Sequence, residues 1–362
     1  MQDALLGEQA GMMPDPSEPV RVEEGVWRVP IPLPFGAHAV NVYLLRGRDA
    51  SAGWCMVDCA IGTARAEEAL RLGFERAGIG ERDISDIVLT HSHPDHVGAA
   101  GYWQRATGAT VHSLPLQVRN IPSLWDDPAN SAFHSAAAIL VTHGMPADEA
   151  QALITQAVEI RGLLEFPAHP VLLAHHQRVH LAGNRFQVFW TPGHADGHIA
   201  LLRDDGVLVA GDAILPPPMR PTIGWYPWSR PDPLHDELET LALLADLPAR
   251  LVLPGHGSPF SDLRARADEL AGTYTREIVV VARLLADAPA GLNAYVLAHQ
   301  LYEARWHNSR SRLLAISEAV ARLEHLRLLG RAERDTREDG TIIYQRTRED
   351  GSLAADTNSA ER

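Results

Sequence analysis

Lysine is missing altogether: every basic side chain in the 362 residues is arginine, a bias that reflects genomic base composition more than chemistry. Cysteine is nearly missing too, with only Cys55 and Cys59. They lie in Trp54-Cys55-Met56-Val57-Asp58-Cys59, a buried strand running into a turn. A reduced pair packed as small hydrophobes is the plain reading there, beside a disulfide or a metal pair. No apolar run reaches the roughly 20 residues that cross a bilayer, so no membrane partner is expected. The amino-terminal stretch, Met1 to Glu23, mixes Asp, Glu, Pro and Gly without a basic-then-apolar leader. Residues 1–19 therefore read as a disordered tail, and the expected location is cytoplasmic. Positive charge is also in deficit. The 32 basic against 46 acidic residues give −14, which weighs against gripping polyanions by bulk electrostatics but leaves a local basic patch open.

What is present is an ordinary apolar content of 46% and a length comfortable for two domains. The chain is organised around His91-Ser92-His93-Pro94-Asp95-His96-Val97-Gly98, directly after the apolar run Ile84 to Thr90. That run predicts a strand ending where the histidines begin. Three imidazoles and a carboxylate at one strand end can occupy a small volume together only around a metal. A polar surface turn is the alternative, and it suits His-x-His alone better than His-x-His-x-Asp-His. Nitrogen and oxygen donors without thiolates suit zinc, manganese or iron.

Strand patterns run from Val20 to Arg46 and over Cys55 to Asp58. Gly62-Thr63 opens a helix, Ala64 to Ala77, with Leu70, Phe74 and Ala77 on one face, stopped at Gly78. A short helix, Val97 to Thr107, and a strand, Ala109 to His112, follow the histidines. Residues 114–166 read as mostly helix, in particular Ala132 to His143 and Pro146 to Leu164. This helical insertion interrupts a strand-rich pattern and would either cap the site or serve an oligomer contact. Strands resume over Arg185 to Trp190, Ile199 to Leu202 and Gly206 to Ala210. A Pro-rich loop, Pro216 to Pro233, a helix, Leu234 to Leu247, and a strand, Arg250 to Leu253, complete the unit. Beyond Phe260 the pattern changes to helices over Arg264 to Asp287, Asn293 to Tyr302 and Ser309 to Leu329. The last carries Leu313, Ile316, Val320, Leu323 and Leu326 at helical spacing. Glu338-Asp339-Gly340 then joins two short strands. Helix, helix, hairpin is the order of a winged-helix-like domain, placed at 276–349, and residues 350–362 read as a second disordered tail.

Three later loops carry further donors. They are His194 in Thr191-Pro192-Gly193-His194-Ala195-Asp196-Gly197-His198, Asp212 in Val209-Ala210-Gly211-Asp212, and His256 in Leu253-Pro254-Gly255-His256. Each follows a glycine that lets the backbone turn sharply beneath it. Five separated segments in this order resemble the metallo-β-lactamase superfamily of hydrolases, over about Val20 to Ser261. The resemblance implies an α/β fold, the αββα sandwich of that superfamily, over 20–275, with the winged-helix-like domain appended. Residue by residue it implies two divalent ions, zinc first and manganese or iron otherwise. His91, His93 and His194 hold one; Asp95, His96 and His256 hold the other; Asp212 bridges. Seven donors are too many for one tetrahedral ion and suit two ions with a common carboxylate. Asp95 and Asp212 are then the catalytic carboxylates, and a hydroxide between the ions is the nucleophile, so no serine or cysteine is required.

Family members carry a carboxylate at the place of Asp58 that steadies the histidine loop, which makes Asp58 an orienting residue; capping the helix from Ala64 is its alternative role. His198 reads as structural or orienting. Trp225, Tyr226 and Trp228 are candidates for lining the pocket mouth, and Arg220 for pairing with an anionic substrate group, with plain loop packing the alternative for all four.

The superfamily spans thioesterases of the glyoxalase II type, lactonases, β-lactamases, RNA-processing nucleases and oxygen reductases, so fold alone decides little. The Thr-Pro-Gly-His-x-x-Gly-His pattern resembles the glyoxalase II-like branch. It points to hydrolysis of an ester-type bond, a thioester or lactone, in a small molecule. A single-strand endoribonuclease using the winged helix is the alternative. Ten arginines against nine acids over Glu303 to Asp350 are too near neutral for a nucleic-acid module, and no aromatic-rich platform stands out. A DNA-binding regulator whose metal site senses a ligand is a third reading, disfavoured by the complete ligand set. The carboxyl-terminal module is expected beside the active site or on a partner subunit of a homodimer.

Overall fold

Period-two alternation in the strands builds two sheets that face each other. A computed structural model of the chain describes residues 18–34, 39–49, 51–121, 124, 125, 127–303 and 309–347. Residues 1–17 and 350–362 of the two expected tails lie outside the described residues. The first sheet has seven strands in chain order: β1 (Val20–Glu23), β2 (Val26–Pro32), β3 (Ala39–Arg46), β4 (Trp54–Val57), β5 (Ile84–Val88), β6 (Thr110–Ser113) and β7 (Val171–Leu172). It is antiparallel from β1 to β4 and parallel from β4 to β7. The second has five: β8 (Arg178–Leu181), β9 (Asn184–Trp190), β10 (Ile199–Arg203), β11 (Val207–Gly211) and β12 (Leu251–Pro254), with only the β11–β12 pair parallel.

Alternation along each strand sorts the side chains into layers. In β3 and β4, Val40, Val42, Leu44 and Met56 face outward onto Leu70 and Phe74 of α1 (Ala64–Ala77). With α2 (Pro94–Val97), they also meet Trp103 of α3 (Ala100–Thr107). Tyr43, Leu45, Cys55 and Val57 face the other way, onto Phe186, Val188, Leu201 and Val209 of the second sheet. Each such side chain contributes on the order of 1.5–3 kcal/mol on leaving water. Cys55 and Cys59 are both buried and free, the packed pair that the sequence suggested. Helix α1 starts where Thr63 Oγ1 accepts the Ala66 amide at 3.2 Å, so Thr63 and not Asp58 is its cap.

The insertion forms α4 (Pro115–Ile121), α5 (Ser131–Thr142) and α6 (Ala147–Arg161). Beyond β11 come α7 (Pro233–Ala245), α8 (Leu263–Ala286), α9 (Ala294–Leu301), α10 (Ser309–Leu328) and the hairpin β13 (Ala332–Thr336) with β14 (Ile342–Arg346). Helix, helix and hairpin thus follow in the expected order, but the boundary expected at 275/276 falls inside α8. The apolar faces explain why. Leu208 and Val252 of the second sheet, Leu241 of α7, Leu140 of α5, Val281 of α8, Leu323 of α10 and Tyr344 of β14 all join one core. The two sheets are therefore enclosed by helices on both outer faces, with the carboxyl-terminal helices part of the second layer. No helix among the described residues is long and apolar enough to cross a membrane.

Candidate metal centre

Strands from both sheets end at one edge of the sandwich, and each end delivers a polar side chain. β5 runs into Leu89-Thr90-His91, and Pro94 starts α2 so that His93 precedes the helix while Asp95 and His96 ride on it. β4 delivers Asp58, β9 His194, β11 Asp212 and β12 His256. The donor atoms form three overlapping groups: His91, His93 and His194; His91, His96 and Asp212; and Asp95, His96 and His256. All seven residues named from the sequence therefore stand in one place.

The rings are held from behind. His91 Nδ1–H donates to Thr90 Oγ1 at 3.0 Å, His96 Nδ1–H to Asp58 Oδ2 at 2.8 Å, His194 Nδ1–H to the Thr222 carbonyl at 3.0 Å and His256 Nδ1–H to the Ala39 carbonyl at 2.8 Å. With Nδ1 used in this way, each Nε2 is turned inward, where it can offer a lone pair to a metal. His93 instead presents Nδ1, which lies 2.9 Å from His91 Nε2 and 2.9 Å from His194 Nε2. One Nδ1–H cannot donate to both neighbours at once. Burial first, then neighbouring rings, push His91 well below the ordinary histidine range and His93 down to about 3, so these rings are neutral.

Carboxylates govern the other side. Asp212 Oδ2 lies 3.4 Å from His194 Nε2, 3.4 Å from His256 Nε2 and 3.6 Å from His96 Nε2. Asp95 Oδ2 lies 3.4 Å from His256 Nε2. Burial works against the charge on His96, but Asp212, Asp58 and Asp95 outweigh it and push that ring up to about 10. Burial likewise opposes ionisation of Asp212, and His256 and His96 overcome it, holding the carboxyl well below the usual range. His96 Nε2 and Asp212 Oδ1 are nevertheless buried with no hydrogen-bond partner. Two orphaned polar atoms, beside the neutral rings of His91 and His93, fit a divalent metal. Gly255 makes room for this packing, since a Cβ there would fall 2.0 Å from Asp212 Oδ1.

The outer supports include both residues expected and residues missed. Asp58 Oδ1 accepts the Thr90 amide at 2.8 Å and Asp58 Oδ2 the Thr90 hydroxyl at 2.8 Å, besides His96. His198 uses both nitrogens, Nδ1 with Thr191 Oγ1 at 2.8 Å and Nε2 accepting the Asp212 amide at 3.0 Å, so it holds a donor loop and faces no ion. Gln117 of α4 went unnoticed in the sequence. Its Nε2 donates to the carbonyls of Leu89, Thr90 and Gly197, tying the two histidine loops together. Asn41 was missed too, although a lone amide in an apolar strand was a signal; it donates to the Pro254 and Gly257 carbonyls around His256.

The four substrate-contact candidates divide. Arg220 is corrected: its guanidinium pairs with Glu277 at 2.9 Å and Glu318 at 3.2 Å, so its charge is neutralised within the fold and not offered to a substrate. Trp225 packs against the helical core, edge-on to His143 at 6.4 Å, and not at a pocket mouth. Tyr226 and Trp228 are half-buried and stacked at 5.2 Å, and Trp228 meets Phe133 of the insertion at 6.1 Å. Their loop skirts the His194 turn, touching it through Thr222 and through the Arg230 amide, which donates to Asp196 Oδ1.

Comparison with known proteins agrees with this geometry. The metallo-beta-lactamase superfamily profile matches residues 35–256. The crystal structure of the metallo-beta-lactamase family protein TTHA1429 from Thermus thermophilus is similar with a TM-score of 0.79 at 32% identity. It covers 90% of this chain and 100% of that one, so the likeness continues past residue 256 into the carboxyl-terminal helices. "Probable metallo-hydrolase YqjP" of Bacillus subtilis (strain 168) is 26% identical over 309 residues, 84% of this chain and 92% of that protein. A hydroxyacylglutathione hydrolase of Pseudomonas savastanoi pv. phaseolicola (strain 1448A / Race 6) is 28% identical over 184 residues, 50% of this chain and 51% of the other. The profile closes on His256, the last donor in the chain, and a match of that extent settles the matter: the chain belongs to the metallo-β-lactamase superfamily and is a metal-dependent hydrolase.

Proposed function

We propose that the protein hydrolyses an ester-type bond, a thioester or a lactone, in a small molecule at a centre of two divalent ions. The observation that carries this reading is the position of Asp212 Oδ2, within 3.4–3.6 Å of His194, His256 and His96. That oxygen stands between the group of His91, His93 and His194 and the group of Asp95, His96 and His256, as a common carboxylate must. Zinc suits the nitrogen-rich first group, with manganese or iron the alternatives. When bound, such ions acidify a coordinated water and polarise the carbonyl under attack.

The chain's own residues supply the remainder. Thr90, Asp58, Thr222 and Ala39 fix the ring orientations, so the donors need little rearrangement during reaction. Tyr226 and Trp228 form an apolar wall on the loop beside His194. The insertion adds a hollow of about 270 Å³ lined by Trp125, Pro128, Arg161, Leu164 and Phe166, close to the metal loop through Leu164 and Gly98. The Tyr226–Trp228 face suits an acyl group. Likeness to a hydrolase of hydroxyacylglutathione, itself a thioester, favours sulfur as the leaving atom.

Cleavage of RNA is less well supported. The helix–helix–hairpin unit over α9 to β14, which we take to be winged-helix-like, has part of its positive charge matched by carboxylates. Arg312 pairs with Glu149, Arg322 with Glu277, and Arg327 and Arg334 with Glu324, so these four cations are already engaged within the fold. The deciding experiment is turnover of acyl-thioesters, lactones and single-stranded RNA in parallel by the zinc- or manganese-loaded protein, with His93→Ala as control. Thioester or lactone turnover that vanishes in His93→Ala is expected. RNA cleavage without ester turnover would overturn the proposal.

A further inference from the structure

The segment between β11 and α7 receives several hydrogen bonds from residues beyond the 35–256 that the family profile matches. Arg266 Nε donates to the Leu215 carbonyl at 2.7 Å, and another of its nitrogens to the Met219 carbonyl. The Tyr274 hydroxyl, fully buried on α8, donates to the Pro221 carbonyl at 3.0 Å. Arg322, fully buried on α10, donates from one terminal nitrogen to the Ile223 carbonyl at 3.0 Å and from the rest of its fork to Glu277 Oε2. The Trp225 amide donates to the Ser317 carbonyl of α10 at 3.0 Å, and Gly224 sits so close to that helix that a Cβ would fall 2.6 Å from Ser317 Oγ.

Between the two pinned carbonyls lies Thr222, whose own carbonyl receives His194 Nδ1–H at 3.0 Å. Holding the carbonyls of Pro221 and Ile223 against α8 and α10 limits how the carbonyl between them can turn, and so holds it to His194. We infer that Tyr274 and Arg322 are positioning residues for His194, through which the carboxyl-terminal helices set the affinity of the ion held by His91, His93 and His194. This rests on the ligand role proposed above for His194. The arrangement gives the carboxyl-terminal module a task at the metal centre itself, distinct from nucleic-acid binding. Arg322 suits it because its rigid planar fork aims one nitrogen at a carbonyl and two at a carboxylate in a buried site, a fixed geometry that a lysine lacks.

The test is chelator competition on the zinc-loaded 362-residue chain, read as zinc retained per chain, with thermal unfolding measured alongside. Arg322→Met with Glu277→Gln removes the anchor with no net change in charge, Arg220 keeping Glu318 as its partner, and Tyr274→Phe removes one hydroxyl. His194→Ala is the reference for ligand loss. Arg334→Met, which breaks an ion pair with Glu324 in the same module away from the loop, controls for stability. One class of zinc should weaken by about tenfold to a hundredfold in the double variant, and less in Tyr274→Phe, with the other class unchanged. Arg334→Met should retain both classes whatever its melting temperature. Native-like retention by the double variant, with weakened retention in His194→Ala, would overturn the inference alone. Equal zinc loss in Arg334→Met would also overturn it, by reducing the effect to general destabilisation. Native-like retention in His194→Ala would remove the ligand assignment and the inference with it.

Discussion

Asp58 Oδ2 stands 2.8 Å from His96 Nδ1, and this contact decides which nitrogen of His96 faces the metal centre. Asp58 occupies the left-handed region at φ 60, a conformation rarely adopted by residues with a side chain. It is kept there by the Thr90 amide and hydroxyl, both 2.8 Å away. Backbone strain next to a buried donor is what a position selected for orientation looks like.

Asp58→Asn should therefore disable His96 without unfolding the protein. The amide oxygen must take the place of Oδ1, where the Thr90 N–H donates, so the NH₂ group faces His96 Nδ1. Nδ1 then has to accept, its proton moves to Nε2, and the lone pair for metal is lost. Zinc affinity at one site should fall by about tenfold to a hundredfold, measured by chelator competition. Native affinity in Asp58→Asn would show that the tautomer of His96 is fixed by something else.

Gly255→Ala tests the space around Asp212. Alanine suits the backbone there, but its Cβ would lie 2.0 Å from Asp212 Oδ1 and 2.8 Å from His96 Cε1. Asp212 must move by an ångström or more, and the carboxylate common to both groups leaves one of them. Zinc content should drop towards one ion per chain and turnover by about a hundredfold or more, since misplacement on this scale is that costly. Two retained zinc ions with native turnover would contradict the bridging role of Asp212.

Legibility in the sequence followed locality. His91, His93, Asp95 and His96 were visible because a strand end and a proline-started helix confine them within six positions. The glycine before each later donor marked the other strand ends. Gln117 and the Thr222 carbonyl were invisible, because what they hold is distant in the chain and a backbone oxygen has no sequence signature. Arg220 misled for the same reason: it looks like a free cation in a loop until Glu277 and Glu318 fold against it. Strand β7 was missed since Val171 and Leu172 are short of a pattern and exposed. The apolar spacing of α10 announced a buried face but not its partner, and so a separate domain was expected where a common core exists.

His143 gives a pH dependence that can be measured without substrate. It stacks on Tyr344 at 6.0 Å inside the helical core, and burial lowers its pKa from 6.5 to about 4, only partly opposed by Glu324. The unfolded chain therefore binds the proton more readily than the folded one. Stability from this residue is complete above its unfolded pKa and is lost as pH falls towards 4, by about 2 kcal/mol between pH 7 and pH 5. His143→Phe should keep the stacking and lose less stability over that interval than the parent. Taking the difference between the two chains cancels the metal-site histidines. Parallel curves of unfolding free energy against pH would contradict the assignment.

Gln117 offers the sharpest separation of shape from hydrogen bonding. Its Nε2 lies 3.2, 3.0 and 2.8 Å from the carbonyls of Leu89, Thr90 and Gly197, while its Oε1 accepts from Ser113 Oγ at 2.7 Å. Gln117→Glu keeps the outline but sets an acceptor against three acceptors in a buried site, so the new carboxyl must stay protonated. Gln117→Met removes the donor without adding charge and should cost about 1–3 kcal/mol for the carbonyls left unpaired. The glutamate variant should be the less stable of the two at pH 8 and recover as pH is lowered towards 6, because protonation restores a donor. Both should turn over ester substrate more slowly, since the hydrogen bonds by which Gln117 ties the strand carrying His91 to the loop carrying His194 are then lost. A glutamate variant as stable as the parent at pH 8 would mean that the three carbonyls do not depend on the Gln117 amide.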